Sequence, residues 1–229
     1  KTQKVKDVIE RIGHQNPELV KPALGPKEPW AYRNKMQMPV GGTKGNIQMG
    51  FYAMGSHDIV QGTNCPIQDE GNNIIAQACY QIAKEFDIEP YDEHTGKGVL
   101  RHVIGRIGQS GWMIILVTAT EHLPHQEKWV EKLTERVPQV ETIVHNVNGK
   151  RTNVILGPKN SVLHGDGTIT DHIKDLRFTL SPHSFFQVNP EQTTVLYDQA
   201  LEYADLKGNE TVIDAYCGTG TISLFLAHE

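Results

Sequence analysis

At 229 residues the chain is long enough to bury a sizeable core, and its length favours two domains over one. A net charge of −5 and a pI of about 6.1 lack the basic excess of an overtly nucleic-acid-binding protein, so any such contact must come from a local patch. Three scattered cysteines, Cys65, Cys79 and Cys217, argue against a disulfide framework and for a reducing cytoplasm; no signal peptide opens the chain, and the longest apolar run, Trp112 to Val117, is far too short to cross a bilayer.

Val5, Val8, Ile9 and Ile12 fall at helical spacing, with Gly13 as a stop, and predict a short amphipathic helix that needs a partner surface. From Gln15 to Pro29 the pattern lapses into a linker crowded by Pro22, Gly25, Pro26 and Pro29. Strands are predicted at Ala31 to Pro39 and Ile47 to Met54 around the Gly41-Gly42 and Lys44-Gly45-Asn46 turns. Asp69 caps a helix over about Glu70 to Phe86, with Ile74, Ile75, Ala78, Ile82 and Phe86 as its buried stripe. Further strands are expected at Val99 to Ile107, Trp112 to Thr118, Glu141 to Val147, Asn153 to Leu156 and Ser161 to His164, interrupted by a helix carrying Trp129, Val130 and Leu133. This alternation implies a mixed sheet with helices on one side.

Beyond Asp175 the texture changes. Leu176 to Leu180 reads as a strand and Ser184 to Asn189 as an extended or turning segment. Asn189 then caps a helix with Pro190 at its first position and Gln192 near its third, ending near Gly208. A strand at Thr211, with Val212 and Ile213 buried, runs into a glycine turn and a new helix. The fold class is α/β: a central mixed α+β domain followed by the opening of a Rossmann-like sheet. Three segments result, residues 1–24, 25–180 and 181–229. Both ends read as cut, since residue 1 is not methionine and a doubly wound domain needs strands beyond the last helix.

Asp214-Ala-Tyr-Cys-Gly-Thr-Gly lacks both the three-glycine dinucleotide fingerprint and the Gly-Lys-Ser/Thr ending of a phosphate loop, so hydride transfer and ATP hydrolysis lose ground. It reads either as a seat for a nucleoside-like cofactor, with amides around Gly218 and Gly220 facing an anion, or as a plain tight turn. In Ser184-Phe-Phe-Gln-Val-Asn189, two aromatics and an amide could stack on a ligand and bond its polar end, or one Phe could pack in the core while Gln187 ties down the loop. Arg33, Lys35, Arg101, His102 and Arg106 offer positive charge beside strands, suited to RNA phosphates or to a solvated face. Cys65 is a candidate metal or cluster ligand, yet one thiolate holds no cluster; Cys79 belongs to the core, and His57 lacks a matched nucleophile.

Tyr32-Arg-Asn-Lys35, Gly50-Phe-Tyr52 with Ser56-His57, Cys65-Pro-Ile67, Leu100-Arg-His102, Thr152 to Gly157, Ser184 to Pro190 with Gln192, and Asp214 to Gly220 together resemble the RNA (uracil-5-)-methyltransferase family, most of all its bacterial enzymes for 5-methyluridine in 23S ribosomal RNA. The resemblance covers essentially the whole chain. It implies a cytoplasmic, monomeric enzyme using S-adenosyl-L-methionine, with transfer RNA or a non-catalytic RNA-binding role as alternatives. It assigns Gln187, Tyr216, Thr221, Phe185, Asp214, Gly218 and Gly220 to the cofactor pocket, and Arg33, Lys35, Arg101, His102 and Arg106 to RNA. Cys65 would be the fourth ligand of the family's [4Fe-4S] iron–sulfur cluster, whose other three cysteines precede this chain, so the metal-binding cluster is an expectation for the longer protein and not for this piece. The family's chemistry adds a cysteine thiolate to uracil C6 and removes the C5 proton with a glutamate. Both groups would lie downstream, so the piece alone is expected to be inactive; Cys217 belongs to the loop and is not that nucleophile. The first helix is expected to pack back on the methyltransferase domain.

Overall fold

A computed structural model describes residues 1–228. The elements are α1 (Thr2–Arg11), β1 (Lys35–Thr43), β2 (Asn46–Tyr52), β3 (Ile59–Gln61), α2 (Glu70–Glu85), β4 (Leu100–Ile107), β5 (Trp112–Thr118), α3 (Gln126–Arg136), β6 (Val140–Val147), β7 (Lys159–His164), β8 (Ile169–Ile173), β9 (Leu176–Leu180), α4 (Pro190–Ala204) and α5 (Thr221–His228). Seven strands form one sheet in the order β3-β2-β1-β4-β5-β6-β7, and β8 pairs with β9 in a separate hairpin. The chain is α/β, as its alternating pattern requires. Among the described residues no helix is long and apolar enough to cross a membrane.

Adjacent strands are antiparallel except β5 and β6, which run parallel because α3 supplies the crossover between them. β1 changes partner along its length: Lys35 to Pro39 pair with β4, and Val40 to Thr43 pair with β2. Pro39, which has no N–H to give a ladder, sits at that handover, the one place in an interior strand where it does little harm.

The alternation of side chains along β1 divides the molecule. Met36, Met38 and Val40 point to one face, where Ile75, Cys79 and Ile82 of α2 and Trp129 and Leu133 of α3 close a core. On the opposite face Ile104, Met113, Ile115 and Val117 pack with Ile169 and Phe178 of the small hairpin, and with Phe186, Tyr197 of α4 and Phe225 of α5. Helices α2 and α3 therefore cover one side, while the other side receives the segment that carries the glycine turn. Asp69 accepts the Gly71 N–H at 2.8 Å and starts α2; Asn189 accepts the Gln192 N–H at 3.0 Å and starts α4, with Pro190 in the first turn.

Four expectations need revision. Val154 and Ile155 form no strand: their carbonyls are held by Asn148 Nδ2, at 2.6 and 3.0 Å, in a loop. Thr211 to Asp214 pair with no strand among the described residues, and Val212 and Ile213 lie 52% and 86% exposed, because a buried strand needs ladder partners and this segment meets none. Ile74, assigned to the buried stripe of α2, is instead 37% exposed. β8 was not foreseen, since Asp171 occupies the middle of its inward row.

Trp129 is fully buried, edge-on to Phe86 at 6.3 Å, and its indole N–H has no hydrogen-bond partner. Trp129→Ala should lower stability by about 3–5 kcal/mol in urea unfolding. Trp129→Phe should cost much less, since it keeps most of the packing and removes an unanswered donor; equal losses for both would contradict this reading of the core.

Candidate functional site

Segment 181–189 leaves β9 in a tight turn, with Ser184 N–H donating to Ser181 O at 3.1 Å and Ser181 N–H to Ser184 Oγ at 3.0 Å. The next two residues point opposite ways, as an extended backbone demands. Phe186 is buried against Phe178 with ring centroids 5.6 Å apart, while Phe185 stands 69% exposed. One aromatic therefore anchors the segment and the other is left on the surface. The segment is fixed at both ends to the sheet: Arg106 Nη2 donates to Pro182 O at 3.3 Å and to Ser184 O, and Asn34 N–H donates to Val188 O at 2.9 Å. Gln187, half-buried between these ties, makes no side-chain hydrogen bond among the described residues.

The glycine turn follows α4. Gly218 and Gly220 have φ of +56° and +75°, the left-handed region that glycine enters at no steric cost. A Cβ at Gly218 would meet nothing within 4 Å, so the backbone there faces open space. Asp214 ties the turn to the helix after it: one carboxylate oxygen accepts the Tyr216 N–H at 3.2 Å, the other the Ser223 hydroxyl at 2.6 Å. Tyr216 projects fully into solvent at 98% exposure. Thr221 Oγ1 lies 2.7 Å from Tyr197 Oη, joining the turn to α4.

The turn and the aromatic segment meet. Thr219 Oγ1 donates to Phe185 O at 3.2 Å across 34 residues of sequence. Asn34 and Thr219 lie inside motifs visible in the sequence and Tyr197 does not, but the role of none of the three could be read there, because each is a tertiary contact with no local signature. A hollow of about 830 Å³ borders Asp214 and Ser223 and is lined also by Leu201, Val212 and Leu226; neither Phe185 nor Gln187 is part of its lining.

Three of the five basic residues expected to touch RNA are not on display. Arg101 is 4% exposed, its Nη1 donating to Asn148 O and, at 2.8 Å, to Lys150 O, with the guanidinium 4.4 Å above the Tyr91 ring. His102 is 7% exposed, and burial, with Arg101 beside it, holds its pKa down to about 4, so it is neutral. Arg106 is 4% exposed and holds segment 181–189. Arg101 and Arg106 spend their guanidinium groups on backbone carbonyls and His102 is buried and neutral, so none of the three presents a charge at the surface. Arg33 and Lys35 are half-buried. His57 stacks on Tyr52 and pairs with Glu93 at 2.6 Å, while the Ser56 hydroxyl accepts the Asp58 N–H, so no nucleophile is matched to that imidazole.

The iron–sulfur reading is also corrected. Among the described residues no three His, Cys, Asp or Glu side chains come together to hold a metal ion. Cys65 is a free, half-buried thiol, its N–H bound to Asn73 Oδ1 at 3.0 Å. Cys79 is buried, and burial alone raises its thiol far above the usual range.

No family model matches the chain. Over all of its length it is 50% identical to an uncharacterized RNA methyltransferase of Halalkalibacterium halodurans and 48% identical to one of Clostridium tetani. It spans about half the length of these curated relatives, 50% in each case. The chain is thus homologous to one half of a set of bacterial proteins named as RNA methyltransferases. Its fold matches the crystal structure of Pyrococcus abyssi tRNA (uracil-54, C5)-methyltransferase in complex with S-adenosyl-L-homocysteine, with a TM-score of 0.69 and 23% identity over 88% of this chain and 48% of that one.

Replacing Arg106 by Met removes the donors for Pro182 O and Ser184 O while keeping apolar bulk. The expected cost is about 1–3 kcal/mol in urea unfolding. Amide hydrogen exchange should accelerate in 183–188 and remain unchanged in α2; uniform acceleration would show that Arg106 serves the whole sheet rather than this segment.

Proposed function

We propose that this chain is part of an S-adenosylmethionine-dependent RNA (uracil-5-)-methyltransferase. The observation that carries the reading is the Thr219–Phe185 hydrogen bond, which ties the backbone of an exposed aromatic to an open glycine turn, two residues before a glutamine without a side-chain hydrogen bond among the described residues. A nucleoside sulfonium needs such a set: backbone free of side chains, an aromatic face, a carboxylate and an amide. The residues present fit it. Phe185, Gln187, Asp214, Tyr216, Gly218, Gly220 and Thr221 are the ones that would hold the cofactor, which supplies an activated methyl group when bound.

The chain's own part in the reaction is to bind and orient. Asp214 is held by its bonds to Tyr216 and Ser223, so it presents a fixed charge rather than a mobile one. The ties at Arg106 and Asn34 hold the Phe185–Gln187 stretch against the sheet, so its two ligand-facing side chains need not be ordered on binding. The cysteine and glutamate that such chemistry requires are not assigned to this piece, which is expected to be inactive alone. For the substrate, the relatives' names say RNA only, and the matching structure is of an enzyme for transfer RNA. Transfer RNA is accordingly the substrate favoured here, with 23S ribosomal RNA, suggested by the sequence motifs, as the second reading.

Tritium release from RNA transcribed with 5-tritiated uridine tests both. The complete protein should release tritium from a transfer RNA transcript only with S-adenosylmethionine present; release from a 23S fragment alone would select the second reading, and release from neither would overturn the function. Gln187→Ala should raise the KM for the cofactor about tenfold, the equivalent of one lost hydrogen bond of about 1.4 kcal/mol.

A further inference from the structure

Three hydroxyl groups stand at the glycine turn and in the first turn of α5, those of Thr219, Thr221 and Ser223. Two of them give their protons to the protein. Thr219 donates to Phe185 O at 3.2 Å, and Ser223 donates to the Asp214 carboxylate at 2.6 Å. Thr221 has a different kind of partner, another hydroxyl, since its Oγ1 lies 2.7 Å from Tyr197 Oη. Of two hydroxyls in contact, only one donates to the other. The sense of that bond decides what Thr221 can offer a ligand.

The phenol is the donor. Tyr197 is 4% exposed, and Thr221 Oγ1 is the one hydrogen-bond partner of its hydroxyl among the described residues, so a phenol proton turned elsewhere would be left without an acceptor. Thr221 is only half-buried, and its own proton is not shut away in that manner. A phenol is also a stronger acid than an aliphatic alcohol, hence the better donor of the two. Packing holds the phenol where it is: the Tyr197 ring meets Phe225 edge-on, with centroids 5.4 Å apart. Phe225 follows Thr221 by one helical turn, on the same face of α5. Tyr197 thus grips the start of α5 by its ring and by its hydroxyl.

We propose that Tyr197 is a positioning residue: by donating to Thr221 it leaves the Thr221 hydroxyl as a donor for the carboxylate at the amino-acid end of the cofactor. This rests on the methyltransferase reading and adds to it a residue and the polarity of one contact. The carboxylate fits because Thr221 opens a helix whose first backbone N–H groups have no carbonyl to bond within it, an arrangement that favours an anion. It is the one anionic group of S-adenosylmethionine. The nearby Asp214 carboxylate is already answered by the Tyr216 N–H and the Ser223 hydroxyl, so Thr221 is the one hydroxyl of the three with a proton to give.

The test is isothermal titration calorimetry of the complete protein with two ligands, S-adenosylhomocysteine and 5′-methylthioadenosine, the second of which lacks the amino-acid end. Tyr197→Phe keeps the ring and removes the hydroxyl alone. It should weaken S-adenosylhomocysteine about tenfold, the scale of one hydrogen bond, and methylthioadenosine by less than about twofold. Thr221→Val should reproduce that pattern. Tyr197→Phe added to Thr221→Val should weaken binding no further, because Tyr197 acts through Thr221. Equal losses for both ligands would show that Tyr197 only shapes the turn, and additive losses in the double variant that it acts without Thr221. Unchanged binding by Tyr197→Phe, folded by circular dichroism, would show that the hydroxyl is idle; each of these three results overturns the inference while leaving the cofactor reading in place. Failure of that reading looks different: the folded wild-type protein then binds neither ligand, and the inference falls with it.

Discussion

Arg106 carries a charge into the protein with no carboxylate to answer it, and the carbonyls of Pro182 and Ser184 take that place. Burial lowers its pKa to about 10, which still leaves it a cation at neutral pH, so those carbonyls must stay where the guanidinium needs them. Charge-assisted bonds to a buried guanidinium are worth about 1.5–3 kcal/mol each, against a desolvation cost of several kcal/mol if they are lost. That penalty keeps segment 181–189 on the sheet. Phe186 reinforces it with apolar contact, Asn34 closes the far end, and the glycine turn is then hung from the segment through Thr219.

The two faces of the sheet divide the work accordingly. One is closed by α2 and α3 around Trp129 and is pure packing. The other receives the β8–β9 hairpin, Phe186 of segment 181–189, α4 and α5. The strand order puts β1 and β4 next to each other near the middle of the sheet, so that Asn34, just before β1, and Arg106 of β4 both reach segment 181–189.

What the sequence made legible was local. Asp69 and Asn189-Pro190 announce their helices because a cap is a contact between neighbours in the chain. β4, β5 and β6 are apolar enough to be read as strands. Asp171 hid β8, since a buried carboxylate breaks the alternation that a strand is recognised by. Val154 and Ile155 misled in the opposite sense, their carbonyls being satisfied by one asparagine rather than by a ladder. At the site, the glycine turn and the aromatic pair were visible as motifs, but which Phe faces outward was not. Nor could the sequence separate Arg101 and Arg106, sunk among carbonyls, from the half-buried Arg33 and Lys35, because charge in a sequence carries no depth.

Bringing the turn and the Phe185–Gln187 stretch into one site is the central claim, and a crystal structure of the complete protein with S-adenosylhomocysteine addresses it most directly. The expected result is a ligand in contact with both the Gln187 amide and the backbone of Gly218 to Gly220. A ligand that touches one without the other, or that lies in the hollow beside Leu201 and Leu226, would contradict it.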